Sequence, residues 1–264
     1  MKILLQVAYL GTAYCGFQVQ KNGLSVQQVL QDAVEAVYGT RYPLTGCSRT
    51  DSGVHAKMFF CTVDAGEKCS RIPMSSLPQA LNRRLPQDVA VMGAGLVSDA
   101  FHPRYDVLRK EYVYHIWNRP EPNPFLAGRA WHYFRKLNVA EMDRAARAFV
   151  GEHDFAGFMS AGSSVQDTVR RIDTCSVQDD GKGNVFVTVS ANGFLYNMVR
   201  IIVGTLVAVS EGRLRADDIP EILLSKDRTR AGSTAPAHGL YLNRVEYPED
   251  VLPGGINDLF SGRV

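Results

Sequence analysis

The chain has 264 residues, 29 Lys and Arg against 27 Asp and Glu, with 45% apolar and 21% charged positions. That balance excludes intrinsic disorder and collagen-like or low-complexity classes, and the length is enough to bury a core without disulfide or metal staples. The longest apolar run, residues 201–209, contains Gly204 and Thr205 and falls well short of the ~20 residues a membrane span needs.

The first ten residues, MKILLQVAYL, are apolar but interrupted by Gln6, and no small-residue cleavage site follows. They read as a strand over 3–9 rather than a signal peptide. A turn-rich stretch over 11–16 comes next. Ser25 predicts an N-cap, Val26, Val29, Leu30, Ala33, Val34 and Val37 recur at helical spacing, and Gly39 predicts the stop. Residues 41–47 and 58–63 predict the second and third strands. Pro73 opens a helix running to about Arg84 that Pro86 ends, and 89–96 predicts a fourth strand. Beyond a loop at 101–105 a second round begins: a strand over 110–117, an amphipathic helix over 139–150, and strands over 170–178 and 184–191 joined by a turn at 179–183. A helix over 195–210, a shorter one over 217–224 and a last strand over 239–246 complete the chain. The order β-α-β-β-α-β, then a comparable set, predicts an α+β protein of two related halves, 1–105 and 106–264, with no residue-level repeat. Residues 120–124 and 160–166 are the segments expected to flex, and the 253–264 tail is expected to be disordered or tucked against a partner subunit.

Five cysteines (15, 47, 61, 69 and 175) without C-x-x-C spacing suggest reduced thiols in a cytosolic protein rather than a disulfide framework or zinc cluster. The six histidines form no H-x-H or H-E-x-x-H pair, so no metal site is expected. Of the 29 basic residues 21 are Arg. Arginine contacts phosphate bidentately and stacks on bases. With a net charge of only +2, any nucleic acid must meet a localised patch.

Three local features bear on chemistry. CSRTDSGVHA, residues 47–56, packs Ser, Thr, Asp, Gly and two potential cations into a loop between predicted strands. Such loops carry catalytic groups, although an Asp-Ser-Gly turn needs no function. The segment FLYNMVRIIVGTLVAVS, residues 194–210, is apolar on nearly every side and reads as a buried helix with Arg200 in its middle third. A buried guanidinium cannot shed its proton and needs a partner; either a structural acid or snorkelling to the surface would serve, and Asp51 is the best-placed acid. On the strand RKEYVY, residues 109–114, Tyr112 and Tyr114 share a face, which suits holding a base and equally suits core packing with a wet hydroxyl.

Across these features the chain resembles the tRNA pseudouridine synthase A (TruA) family. YLGTAYCGFQ (9–18) resembles that family's Y-D-G-x-x-Y-x-G-W-Q, and SRTDSGVHA (48–56) resembles G-R-T-D-x-G-V-H-A. FHPR (101–104) resembles F-H-A-R, and KEYVY (110–114) resembles the family's Y-x-Y strand. ANGFLYNMVRIIVGTL (191–206) matches A-x-x-F-x-x-x-M-V-R-x-I-V-G-x-L, and APAHGLYLNRVEY (235–247) matches A-x-x-x-G-L-Y-L-x-x-V-x-Y. Several motifs in order make chance agreement untenable where a lone match would not.

The resemblance implies two ferredoxin-like halves that form one continuous, mostly antiparallel sheet with a central cleft. It implies Asp51 as the catalytic aspartate, held as a carboxylate by Arg200, with Tyr112 stacking on the target uracil. Arg49 and Arg104 would contact RNA, Arg49 helping to displace the flipped nucleotide, and Phe194 and Leu195 would line the pocket. The implied activity is isomerisation of uridines on the 3′ side of the anticodon arm of tRNA, by a cytoplasmic homodimer without cofactor. Leu10, Phe17 and Ser48 stand where the family pattern has Asp, Trp and Gly, and none removes a reacting group. Two other readings are a catalytically silent RNA-binding module of the same fold and a glycosidase or nucleoside hydrolase. The first predicts no acid facing Arg200; the second calls for two carboxylates or a metal.

Overall fold

The computed structural model describes residues 1–162, 165–252 and 260. The other positions, which include part of the 160–166 segment and nearly all of the 253–264 tail, lie outside the described residues. The chain folds into two compact units, Met1–Leu108 with the described residues from Leu242 onward, and Arg109–Tyr241.

In the first unit β1 (Lys2–Tyr9) leads to α1 (Val26–Tyr38), β2 (Leu44–Gly46), β3 (His55–Val63), α2 (Leu77–Asn82) and β4 (Val89–Val97). β1 lies antiparallel between β3 and β4, with Val7 opposite Phe59 and Leu5 opposite Ala94. β2 adds to β3. Helix α1 buries Val26, Leu30, Ala33, Val34 and Tyr38, the stripe that the 3.6-residue period predicts. Its start is set by Ser25, fully buried, whose Oγ accepts from Gln28 N–H at 3.2 Å, and its end by Gly39 at φ 72°, a left-handed conformation that glycine adopts without strain. Ser25→Ala is therefore expected to cost about 1 kcal/mol, read as a lower urea midpoint at unchanged slope.

In the second unit β5 (Arg109–Trp117) is followed by the two-residue β6 (Trp131–His132), α3 (Val139–Ala146), β7 (Gly151–Asp154), β8 (Val169–Asp179), β9 (Asn184–Ala191), α4 (Met198–Ser210) and α5 (Ile219–Ser225). The strands run in the order β5-β9-β8-β7, antiparallel throughout, and β6 joins β5 in parallel. Burial along β5 alternates strictly, placing Tyr112, Tyr114 and Ile116 on the covered face. The last strand, β10 (Leu240–Glu246), begins at the end of this unit and finishes in the first, beside β3. The architecture is the expected mixed α+β with antiparallel sheet.

Several elements differ from expectation for identifiable reasons. β2 covers only Leu44–Gly46, because Pro43 has no N–H to pair and instead lends its carbonyl to Asp64 N–H at 3.1 Å. α2 starts at Leu77, not Pro73. A second proline, Pro78, lacks the N–H that a helix begun at Pro73 would need beyond its first turn; it falls instead in the first turn of α2, and 73–76 forms a turn. α3 ends at Ala146, and a tighter turn carries Arg147–Phe149. β6 is too short and β7, Gly-Glu-His-Asp, too polar to show an alternating pattern, so neither was foreseeable. α4 begins at Met198 instead of residue 195 because Asn197 stands at φ 61°. No helix among the described residues is long and apolar enough to cross a membrane.

Candidate active site

In the first unit the Asp51 loop is built from two sequence blocks that clamp each other. Asp51 O accepts from Val54 N–H at 3.1 Å, closing a four-residue turn whose third position, Gly53 at φ 81°, requires glycine. Thr50 is buried, and its hydroxyl lies 2.8 Å from Tyr9 OH. The loop's backbone is held by residues of the 9–18 block: Phe17 N–H reaches Thr50 O at 3.3 Å, and Tyr14 O accepts from Gly53 N–H at 3.3 Å and from Ser52 Oγ at 3.2 Å. Gly11 and Gly16 lie so close to Val54 O and Thr50 O that a Cβ at either would collide with backbone. Gly11 N–H donates to Nδ1 of the fully buried His55 at 2.9 Å, which requires that ring nitrogen to be unprotonated. Tyr14 anchors the block further by donating to Asp88 at 2.6 Å.

Asp51 itself is half-buried and Arg49, two residues earlier, is exposed. Phe17, where the family pattern has Trp, stacks on Phe59 at 4.0 Å and fills the space beside Gly46. The second RNA-contact candidate, Arg104, is on a separate loop. Phe101 is buried against Tyr247, whose hydroxyl donates to Pro103 O at 2.7 Å, and His102 Nδ1 accepts from Arg104 N–H at 3.1 Å. The Arg104 guanidinium sits 5.8 Å from the ring of Tyr105, a tyrosine 75% exposed. An exposed ring beside a guanidinium is a ready stacking surface.

The second unit gathers the remaining candidates. Tyr112 on β5 is 6% exposed, and Phe194 meets its ring edge-on at 5.0 Å. Leu195 is buried one residue later. Tyr114, on the same face, belongs to the core: its hydroxyl donates to Pro236 O at 2.7 Å and Trp131 packs on its ring. Arg200 is half-buried where the sequence suggested full burial, and it is in the first turn of α4, not the middle third, because the helix starts three residues late. Its Nε donates to Ala235 O at 2.7 Å and its Nη1 to Asn197 Oδ1 at 2.7 Å. Burial holds His238 below the usual imidazole value, and the positive charge of Arg200 adds to that effect.

Ala235 and Asn197 were not foreseen as site residues. A backbone carbonyl leaves no mark in sequence, and an Asn just before a helix reads as a cap. In the sequence His55 is only one letter of its motif; its buried acceptor role shows once Gly11 is seen beside it.

The tRNA pseudouridine synthase family model matches residues 5–106 and 145–248, covering both loops and α4. The chain is 44% identical over 245 residues, 93% of its own length and 99% of the relative's, to tRNA pseudouridine synthase A of Thermoanaerobacter sp. (strain X514). It is 38% identical over 252 residues, 96% of its own length and 94% of the relative's, to the protein of that name from Staphylococcus aureus (strain MRSA252). A distant likeness, with TM-score 0.36 and 12% identity over 78% of this chain and 44% of that one, is to the crystal structure of a Cbf5-Nop10-Gar1 complex.

Proposed function

Since the chain belongs to the tRNA pseudouridine synthase family and is an isomerase that turns uridine into pseudouridine in tRNA, we propose that Asp51 is its acting carboxylate, on uridines of the 3′ side of the anticodon arm. The reaction breaks the N1–C1′ bond, turns the uracil and joins C5 to C1′; the C5 proton leaves and N1 gains one. Nothing is oxidised or reduced and no group is acquired, so one carboxylate at the sugar–base junction and a closed pocket suffice. The same proposal gives Arg200 the role of keeping that carboxylate ionised and oriented, as the family resemblance implies, since a cation favours the charged form of an acid. Tyr112, with Phe194 and Leu195 beside it, is the floor on which the detached uracil rests while it turns.

The target nucleotide must leave its stack at a cost of about a few kcal/mol. Arg49, exposed beside Asp51, takes the vacated place, and Arg104 with Tyr105 grips the RNA backbone and a base. The same reading makes the protein a cytoplasmic homodimer. The four described free cysteines (15, 47, 61 and 175) support a reducing compartment. The observation that carries the proposal is the presence of Asp51, Tyr112 and Arg200 in one chain that matches a tRNA pseudouridine synthase A over 93% of its length.

The test is to map pseudouridine in tRNA from cells lacking the protein. The anticodon-arm uridines are expected to be unmodified, restored by the wild-type chain and not by Asp51→Ala. Unchanged modification of that arm in the deletion strain would overturn the assignment of position, and restoration by Asp51→Ala the assignment of the residue.

A further inference from the structure

We propose that Asn197 is a positioning residue that sets the plane of the Arg200 guanidinium; the inference rests on the reading of Arg200 as the partner of the acting carboxylate. Among the described residues only Asn197 and Lys226 have positive φ without being glycine. Asn197 is also the residue before α4, where asparagine ordinarily adopts extended backbone and accepts from a helical N–H. Here it does neither: φ is 61°, ψ is 7°, and its side chain caps nothing.

Both ends of that side chain are used elsewhere. Oδ1 accepts from Arg200 Nη1 at 2.7 Å, and Nδ2 donates to Ser160 Oγ at 2.9 Å. Ser160 is tied in turn, its N–H donating to Tyr196 O at 3.1 Å. From the other side Ala235 O takes Arg200 Nε at 2.7 Å. Bonds at Nε and at Nη1 fix a planar fork in one orientation, which a single bond would leave free to rotate.

Two costs are accepted for this arrangement. A left-handed residue is sterically unfavourable for any side chain, and the cation stands in the first turn, at the positive end of the helix dipole. A helix built only for stability would have an extended Asn cap and no arginine there. Local strain of this kind, over-determined by its surroundings, is characteristic of groups held for a task.

The decisive variant is Asn197→Gly. Glycine occupies the left-handed region freely, so the variant loses the side-chain bonds without losing the backbone turn. Its melting temperature is expected to match or exceed wild type. Its kcat for tritium release from tRNA bearing 5-tritiated uridine is expected to fall by about tenfold, with KM within about twofold, as displacement of an orienting group lowers turnover. Asn197→His, which tolerates positive φ and offers an accepting ring nitrogen, should keep kcat within about threefold of wild type. Wild-type kcat in Asn197→Gly would overturn the proposal. So would a kcat loss that tracks a fall in melting temperature and is not recovered by histidine. Asp51→Asn and Arg200→Met, measured alongside, separate the two levels: if both remain active the functional reading fails, and if both are inactive while Asn197→Gly is fully active only the positioning role fails.

Discussion

Asp51→Asn should lower turnover of tRNA uridine by at least about a thousandfold, because the reaction as proposed has one carboxylate and the amide can neither attack the sugar nor take its proton. The change is nearly isosteric. The loop is held by its backbone, through Thr50 O, Asp51 O and Gly53 N–H, none of which the substitution touches. The variant should therefore fold as wild type does, and its melting temperature should stay within about 1–2 °C, in line with a nearly isosteric change at a half-buried side chain. RNA affinity should also persist, since contacts to phosphate dominate binding and Arg49 and Arg104 remain. Filter binding at several salt concentrations should give the same steep loss of affinity with salt for both proteins. Residual turnover within about tenfold of wild type, set against the loss expected for a covalent or basic group, would remove Asp51 from its assigned role.

Gly204→Ala is expected to destabilise the protein severely, although it adds a single methyl group. A Cβ on Gly204 would fall inside the contact radius of Ser233 O, and reciprocally a Cβ on Gly232 would stand 2.5 Å from Gly204 backbone. Two backbones thus cross at glycines, and the segment running past α4 is pinned there by Gly232 N–H to Thr205 Oγ1 at 2.9 Å, Ala235 N–H to Arg200 O at 3.0 Å and Arg228 Nη1 to Gly232 O at 2.9 Å. Alanine gains about 1 kcal/mol of helix propensity. Against that stand overpacking of about 1–3 kcal/mol and the strain on three hydrogen bonds worth about 1 kcal/mol each. The net expectation is a loss of about 2–4 kcal/mol, roughly 5–15 °C in melting temperature for a protein of this size. Activity should fall further than stability at a temperature where the variant is still folded, because Ala235 O, which holds Arg200 Nε, moves with the segment. A melting temperature equal to wild type would show that the crossing can relax.

Most of the secondary structure was legible because local signals agree with one another. The Ser25 cap, the spacing of Val26, Leu30, Ala33 and Val34, and Gly39 all mark one helix; the alternation of β5 marks its covered face. The boundaries that differ lie where two signals compete. Pro73 and Pro78 both qualify as a helix start, and only the second survives, since in a helix begun at Pro73 the missing N–H of Pro78 would fall beyond the first turn, where a donor is needed. The Leu195–Asn197 stretch looks helical by composition, yet Asn197 gives up helical geometry to reach Arg200.

The candidate site divides in the same way. The motifs that carry the family resemblance already singled out Asp51, Arg200 and Tyr112 as candidates, since chemistry is a property of side chains and a motif preserves them. The folded chain alone decided how each is held: a neutral His55 nitrogen against Gly11, a carbonyl at Ala235, an asparagine turned from cap to clamp. These supports join residues 44 and 35 positions apart, or depend on one dihedral angle. Neither a distant backbone atom nor a strained φ has a one-dimensional signature, because both arise only when packing brings separate segments to the same place.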